Sequence, residues 1–155
     1  MAAYTTIDDP SAYFQTAIYT GNGGTIDVVN DGNSDLQPDW LWFKCRSHNT
    51  DHGLQDSVRG NSLALQSNSS GADGDVGTSQ ITAIGSDGFS LASGGDVNTN
   101  SRTYVCWQWK TGTSFSNDAS STGIGTIDSA GSVNQDAGFS ICTYTGTGSA
   151  GTIKH

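Results

Sequence analysis

Two short loops place oxygen-bearing side chains at alternate positions. Asp31, Asn33 and Asp35 form one set, and Asp96, Asn98 and Asn100 the other. A hard cation such as Ca2+ wants clustered oxygen ligands, which alternate residues of a turn can supply. Neither loop completes an EF-hand. The sixth-position Gly is missing from both, and Trp42 and Trp107 stand where a bidentate Glu is wanted. The six residues are candidates for a looser Ca2+ site, the only cofactor the sequence raises. Asp and Asn in such places also hydrogen-bond their own turn. Asp73 and Asp75, around Gly74, are a weaker pair.

Catalytic patterns are lacking. His48 and His52 have the i, i+4 spacing of a zinc helix, but residues 47–53 have turn composition and no Glu accompanies them. They read as exposed loop histidines. Asp is so abundant that any two look paired, so a glycosidase-type carboxylate pair carries no specificity. There is no G-x-S-x-G elbow, and no helix follows Gly21-Asn22-Gly23-Gly24 to make a phosphate loop. The chain is read as a non-enzyme. Binding chemistry has better candidates. Trp40, Trp42 and Trp107, with Trp109, lie on strand-like runs where an indole could stack on a sugar ring or meet a partner. Core packing is the competing role for each.

The elements that must carry these residues are strands. Over 14–20, Phe14, Thr16 and Ile18 alternate with Gln15, Ala17 and Tyr19. Residues 25–29 continue as a second strand after the Gly-rich turn. In the strongest strand, Trp40, Trp42, Lys44 and Arg46 project one way and Leu41, Phe43 and Cys45 the other. Such a strand is packed on both sides or shows Trp to a partner. Residues 54–58 and 63–65 are shorter candidates, and 67–78 reads as an exposed loop. Residues 81–84 and 88–91 predict a hairpin pinched at Gly85-Ser86-Asp87-Gly88. Over 102–110, Tyr104, Cys106 and Gln108 share one side; Val105, Trp107 and Trp109 share the other, which is assigned to the core. No helical apolar stripe of useful length occurs.

Composition agrees. The 155 residues hold 15 Asp, no Glu and 21 Gly, and the net charge is -9. Helical bundles need Glu, Lys, Leu and Ala in bulk. A nucleic-acid partner wants a basic face, which six cations among fifteen aspartates do not make. No apolar run approaches the ~18 residues of a membrane span. Cys45, Cys106 and Cys142 show neither disulfide nor zinc spacing and read as small buried or half-buried hydrophobes.

The expected organisation is a leader over 1–13, a β-sandwich over 14–112, a linker over 113–138, and the start of a truncated repeat over 139–155. The linker is inferred from a Ser/Gly/Thr-rich stretch with few apolar residues. The repeat rests on Phe139 to Gly148, which echoes Phe14 to Gly23, with Thr152-Ile153 echoing Thr25-Ile26. That pattern suits the front of a longer polypeptide of repeated domains.

Several strings, in order, cover nearly the whole chain: the opening Met1 to Phe14, Tyr19-Thr-Gly-Asn-Gly23, Gln37 to Lys44, Asp56-Ser-Val-Arg-Gly60, Ser86 to Ser90, Gly95 to Asn100 and Thr103 to Lys110. Together they resemble a group of marine bacteriophage virion proteins, tail-fibre-like or structural, with a repeated domain. The resemblance implies an antiparallel jelly-roll or lectin-like β-sandwich, similar to concanavalin or SPRY domains, often in tandem. It offers no catalytic residue to carry over.

The expectation is therefore an all-β, antiparallel lectin-like sandwich with long Gly/Ser/Asp-rich loops. Its expected role is that of a non-enzymatic tail-fibre or appendage subunit of the virion, assembled in the bacterial host cytoplasm and attached through its N-terminal part. Expected partners are other virion proteins and further copies of the chain, a trimer by analogy with phage fibres. The alternative is a carbohydrate-binding module that reads a host surface glycan.

Overall fold

A computed structural model describes residues 7–155. The chain divides into two compact units, 1–110 and 111–155.

The first unit opens with a 3-10 turn, Pro10–Ala12, capped by Asp9, whose carboxylate accepts from the Ser11 amide. There follow β1 (Phe14–Thr20), β2 (Ile26–Val29), β3 (Trp40–Cys45), β4 (Gly53–Asp56), β5 (Leu63–Ala64), β6 (Gly74–Asp75), β7 (Ile81–Gly85), β8 (Gly88–Leu91), the one-turn helix α1 (Gly95–Asn98) and β9 (Thr103–Trp109). Four strands form one sheet in the order β1-β9-β3-β4, three form another in the order β2-β8-β7, and β5 and β6 make a small hairpin. Among the described residues, the strand pairings in these sheets are antiparallel.

Alternation explains how the two larger sheets share one core. β1 contributes Ala17, β3 Leu41 and Phe43, and β9 Cys106; the other sheet returns Val28, Ile81, Phe89 and Leu91, and α1 adds Val97. Phe43 meets Phe89 edge to face across the layer, with ring centroids 5.4 Å apart. Tyr19 stacks on Tyr104 at 5.3 Å, and its hydroxyl donates to the Val97 carbonyl at 2.7 Å. This is a β-sandwich core, with apolar groups from two inner faces interdigitating. The predicted hairpin forms as β7–β8. Gly88 is required there: its φ is +109°, and a Cβ would lie 2.0 Å from the Val28 carbonyl oxygen.

The inner face also carries polar groups. Gln15, Gln108 and Gln55 occupy one row across the sheet, with Leu41 between the last two. All three are buried. Gln15 is satisfied by the carbonyls of Ser11 and Ser34 and by the Gly32 amide. Gln108 and Gln55 each donate through Nε2, to Asn30 and to the Asn61 carbonyl, while their Oε1 atoms have no partner.

The second unit corrects the expectation of a linker over 113–138. It holds β10 (Thr113–Asn117), the short helix α2 (Ala119–Thr122), β11 (Ser129–Asn134) and β12 (Phe139–Tyr144). The three strands form an antiparallel sheet in that order. Backbone pairing, which needs no apolar side chain, satisfies this Ser- and Gly-rich stretch. Asp118 caps α2 by accepting from Ser121, and Gly123 ends it in the left-handed conformation. Thr152 and Ile153, read as a second strand of a repeat, are not in a strand. The Thr152 carbonyl instead accepts from the amides of Thr126 and Ile127, at 2.8 and 3.1 Å.

Of the leader, residues 1–6 lie outside the described residues. No helix among the described residues is long and apolar enough to cross a membrane.

Candidate functional site

Because β3 and β9 are neighbours in register, their alternation builds two continuous faces. The inner face holds Leu41, Phe43 and Cys45 with Tyr104, Cys106 and Gln108, all buried. The expectation that Val105, Trp107 and Trp109 enter the core is therefore corrected: they lie on the outer face. Trp42 sits opposite Trp107, with Thr16 and Leu54 flanking; Trp40 sits opposite Trp109, with Phe14 and Asp56 flanking. All four tryptophans of the chain occupy this outer face, each half-buried.

The rings are held in defined geometry. Trp42 and Trp107 meet edge to face, with centroids 5.8 Å apart and planes at 69°. Phe14 packs against Trp109 at 4.9 Å. Trp42 donates its indole N–H to Nδ1 of His52 at 2.8 Å, and the two rings lie 5.8 Å apart. Indole is a donor only, so His52 carries its proton on Nε2. Burial holds the His52 pKa below its usual value; the Lys44 ammonium adds to this and Asp51 opposes it. Lys44 in turn donates to the Thr50 carbonyl, which secures the loop that carries His52.

Sequence reasoning missed His52, which it placed on an exposed loop. His48 is exposed, with Nδ1 3.0 Å from the Ser47 hydroxyl, but His52 is half-buried. No local signal marks the difference; only the hairpin from β3 to β4 brings residue 52 to residue 42. Arg59 and Asp56 were missed for the same reason. Arg59 Nε donates to the fully buried Asp56 carboxylate at 2.7 Å, and its guanidinium reaches Asp73 at 3.2 Å.

The six candidate cation ligands differ in setting. Asp31, Asn33 and Asp35 are exposed, as are Asp96 and Asn100, whereas Asn98 is fully buried. Its Nδ2 donates to the carbonyls of Gly24 and Ala92, at 2.7 and 2.8 Å, and its Oδ1 accepts from the Asn22 amide at 2.9 Å. Asn98 is a structural hub that ties α1 to the turn after β1. Among the described residues, no group of three or more His, Cys, Asp or Glu is placed to hold a metal ion. Cys45 and Cys106 are buried, Cys142 is partly buried, and all three are free thiols.

Residues 9–155 match the family model described as a domain of unknown function, DUF7483. The chain belongs to this family. The match runs through both units of the DUF7483 chain, so its family extends over the tryptophan face and the smaller sheet alike. No curated protein and no solved structure matches it.

Proposed function

We propose that this DUF7483 chain is a non-catalytic carbohydrate-binding module of a bacteriophage appendage, and that its tryptophan face takes the sugar rings of a host surface glycan. The observation that carries the proposal is the outward placement of Trp40, Trp42 and Trp107 on adjacent strands. Large aromatic side chains normally contribute to a core. Here the core is filled by Phe43, Phe89, Leu41 and Tyr104, and the indoles face away from it. A pyranose presents a C–H face that packs on an indole and hydroxyls that need polar partners at its rim. The Nε2–H of His52 and the ammonium of Lys44 stand beside the indoles in that role. The sequence resemblance supports a virion setting, with other virion proteins and further copies of the chain as partners.

The test is a glycan array probed with the purified chain and with a Trp42→Ala, Trp107→Ala double variant. The expected result is a defined set of glycans bound by the parent and lost by at least about tenfold in the variant, with an unchanged far-UV spectrum. An array that the parent leaves blank, or a variant that binds as well as the parent, overturns the proposal.

A virion role in assembly alone is favoured by a separate observation. β1 ends the four-stranded sheet, and its outer face shows Phe14 at 40% and Ile18 at 66% exposure. An edge strand with apolar side chains suits strand addition by a neighbour. Under this reading residues 1–13 are the attachment segment. Particles that still incorporate a chain lacking residues 1–13 would exclude that attachment.

A further inference from the structure

The first unit holds an open-mouthed cleft beside β4, and we infer that it takes the acetamido group of an N-acetylated sugar. The inference rests on the glycan proposal above and narrows its substrate class.

The cleft has a volume of about 220 Å³. Gly53, Ala64, Ala72 and Gly74 line it, so small side chains leave the space open, and Leu65 and Val76 add apolar wall. The backbone around the cleft is hydrogen-bonded. Leu54 and Leu65 exchange two backbone hydrogen bonds, both 2.9 Å. Asp51 accepts from Asn68 at 2.8 Å and from Gln66 at 3.2 Å, which pins the opposite loop. The backbone carbonyl of Gln80 accepts from the Ala92 amide at 2.8 Å.

Four polar side chains share the lining: His52, Gln66, Gln80 and Asp96. Gln66 is engaged with Asp51, and His52 and Gln80 offer groups of opposite character. Gln80 lines the cleft and is 7% exposed, and its Oε1 is buried without a hydrogen-bond partner. A buried carbonyl left unpaired is costly, so a ligand N–H that meets it, once the Gln80 side chain turns toward the cleft, gains more there than in water. His52 also lines the cleft. Its Nδ1 is occupied by the Trp42 indole, so Nε2–H is the ring donor that remains.

The Gln80 acceptor and the His52 donor, with small apolar residues between, match a secondary amide with a methyl group. The amide N–H serves Gln80, its carbonyl accepts from His52, and the methyl lies against Ala64, Ala72 and Val76. An ammonium ion cannot accept from His52. A carboxylate cannot donate to Gln80 and would meet the Asp96 carboxylate, which also lines the cleft. A bare hydroxyl leaves the apolar wall unfilled. His52 also explains why the amide belongs to a sugar. It lines the cleft and holds the Trp42 ring, so a pyranose at Trp42 lies next to a site for its acetamido substituent.

The test is a titration of the full chain followed by amide and indole NMR signals. N-acetylglucosamine, glucose, N-methylacetamide and Nε-acetyl-lysine serve as ligands. N-acetylglucosamine is expected to shift the amides of Gly53, Ala64 and Ala72 and to bind at least about tenfold more tightly than glucose. N-methylacetamide alone is expected to shift the same three amides. Gln80→Leu, which removes the unpaired oxygen, is expected to fold and to lose the preference for the acetylated sugar. Ala72→Ile, at an exposed position, is expected to fill the cleft with the same result. Equal binding of the two sugars, or a preference retained in both variants, overturns the inference. So does acetyl-lysine binding as tightly as N-acetylglucosamine, which would assign the cleft to a peptide. Sugar-induced shifts at the tryptophan indoles without shifts in the cleft remove the cleft inference and leave the glycan proposal standing. Shifts from N-methylacetamide with no sugar binding anywhere overturn the glycan proposal and, with it, the sugar assignment.

Discussion

The indole N–H of Trp42 and Nδ1 of His52 form a 2.8 Å hydrogen bond that exists only while the imidazole is neutral. Protonation would put a hydrogen on each ring nitrogen and leave the indole N–H without an acceptor. Burial and Lys44 also favour the neutral ring, and the folded pKa of His52 is lowered. An unfolded chain titrates its histidines near the ordinary value of about 6.5. The contribution of His52 to stability is therefore complete above that value and is lost as pH falls through the lower folded value. NMR titration is expected to place the His52 midpoint below the ordinary histidine value of about 6.5, and Trp42→Phe should move it upward. A His52 midpoint at or above that value would rule this out.

Arg59→Leu strands a charge. The Asp56 side chain is 0% exposed and that of Arg59 is 13% exposed. Removing one partner of a buried ion pair costs about 3–5 kcal/mol. The low end is expected, because Asp56 keeps hydrogen bonds from the amides of Val58 and Arg59. Urea unfolding should show this loss, and adding Asp56→Asn should restore part of it. A loss below about 1 kcal/mol, the level of a surface pair, would contradict the buried geometry.

Asn98→Ala is expected to lower stability by about 2–4 kcal/mol, because it leaves several buried backbone groups without partners. Millimolar Ca2+ should leave the Tm of the parent unchanged, since the Asn98 side chain is already engaged with Asn22, Gly24 and Ala92. A Ca2+-dependent rise in Tm would restore a role for the Asp96–Asn100 loop as a cation site.

The two faces of the large sheet should respond differently to truncation. Phe43 is 0% exposed, and Phe43→Ala is expected to cost about 3–5 kcal/mol. Trp107→Ala removes a larger ring from the half-buried outer face and should cost less than half as much. Acrylamide should quench the tryptophan emission of the folded chain. A larger loss from Trp107→Ala than from Phe43→Ala would reverse the assignment of the faces.

The strands themselves were legible. Period-2 alternation located β1, β3 and β9, and the Gly85–Gly88 turn located the β7–β8 hairpin. Which face of β9 points inward was not legible, because both faces carry large groups. The choice is made by Phe89, Ile81 and Leu91 of the other sheet, and their approach depends on long-range packing. Aromatic mass misled: β9 buries Tyr104, Cys106 and Gln108 and turns Trp107 and Trp109 outward. The three-stranded sheet over 113–144 was hidden for another reason. Its strands are built of Ser, Thr, Gly and Asn around a few apolar residues such as Phe115 and Ile141, so their pairing leaves little trace in hydrophobic pattern. The cleft was invisible because its residues come from β4, β5, β6, the approach to β7, α1 and the loop that carries His52. Gln80, a buried amide with an orphaned oxygen, and His52 give it chemical character, and burial cannot be read from a lone Gln or His.

The pairing of β1 with β9 sets a timetable for synthesis. Phe14 is matched with Trp109, so the first strand waits for a partner made about 95 residues later. At about 5–20 residues per second, the nascent chain carries that strand unpaired for roughly 5–20 s. β3, the other neighbour of β9, waits as well. Closure of the larger sheet is thus a late event on the ribosome, and contacts so distant in sequence belong to the slow end of domain folding. During this interval Phe14, Ile18, Trp40 and Trp42 have no β9 beside them. Chaperone demand and expression yield should therefore depend on how promptly residues 103–109 emerge.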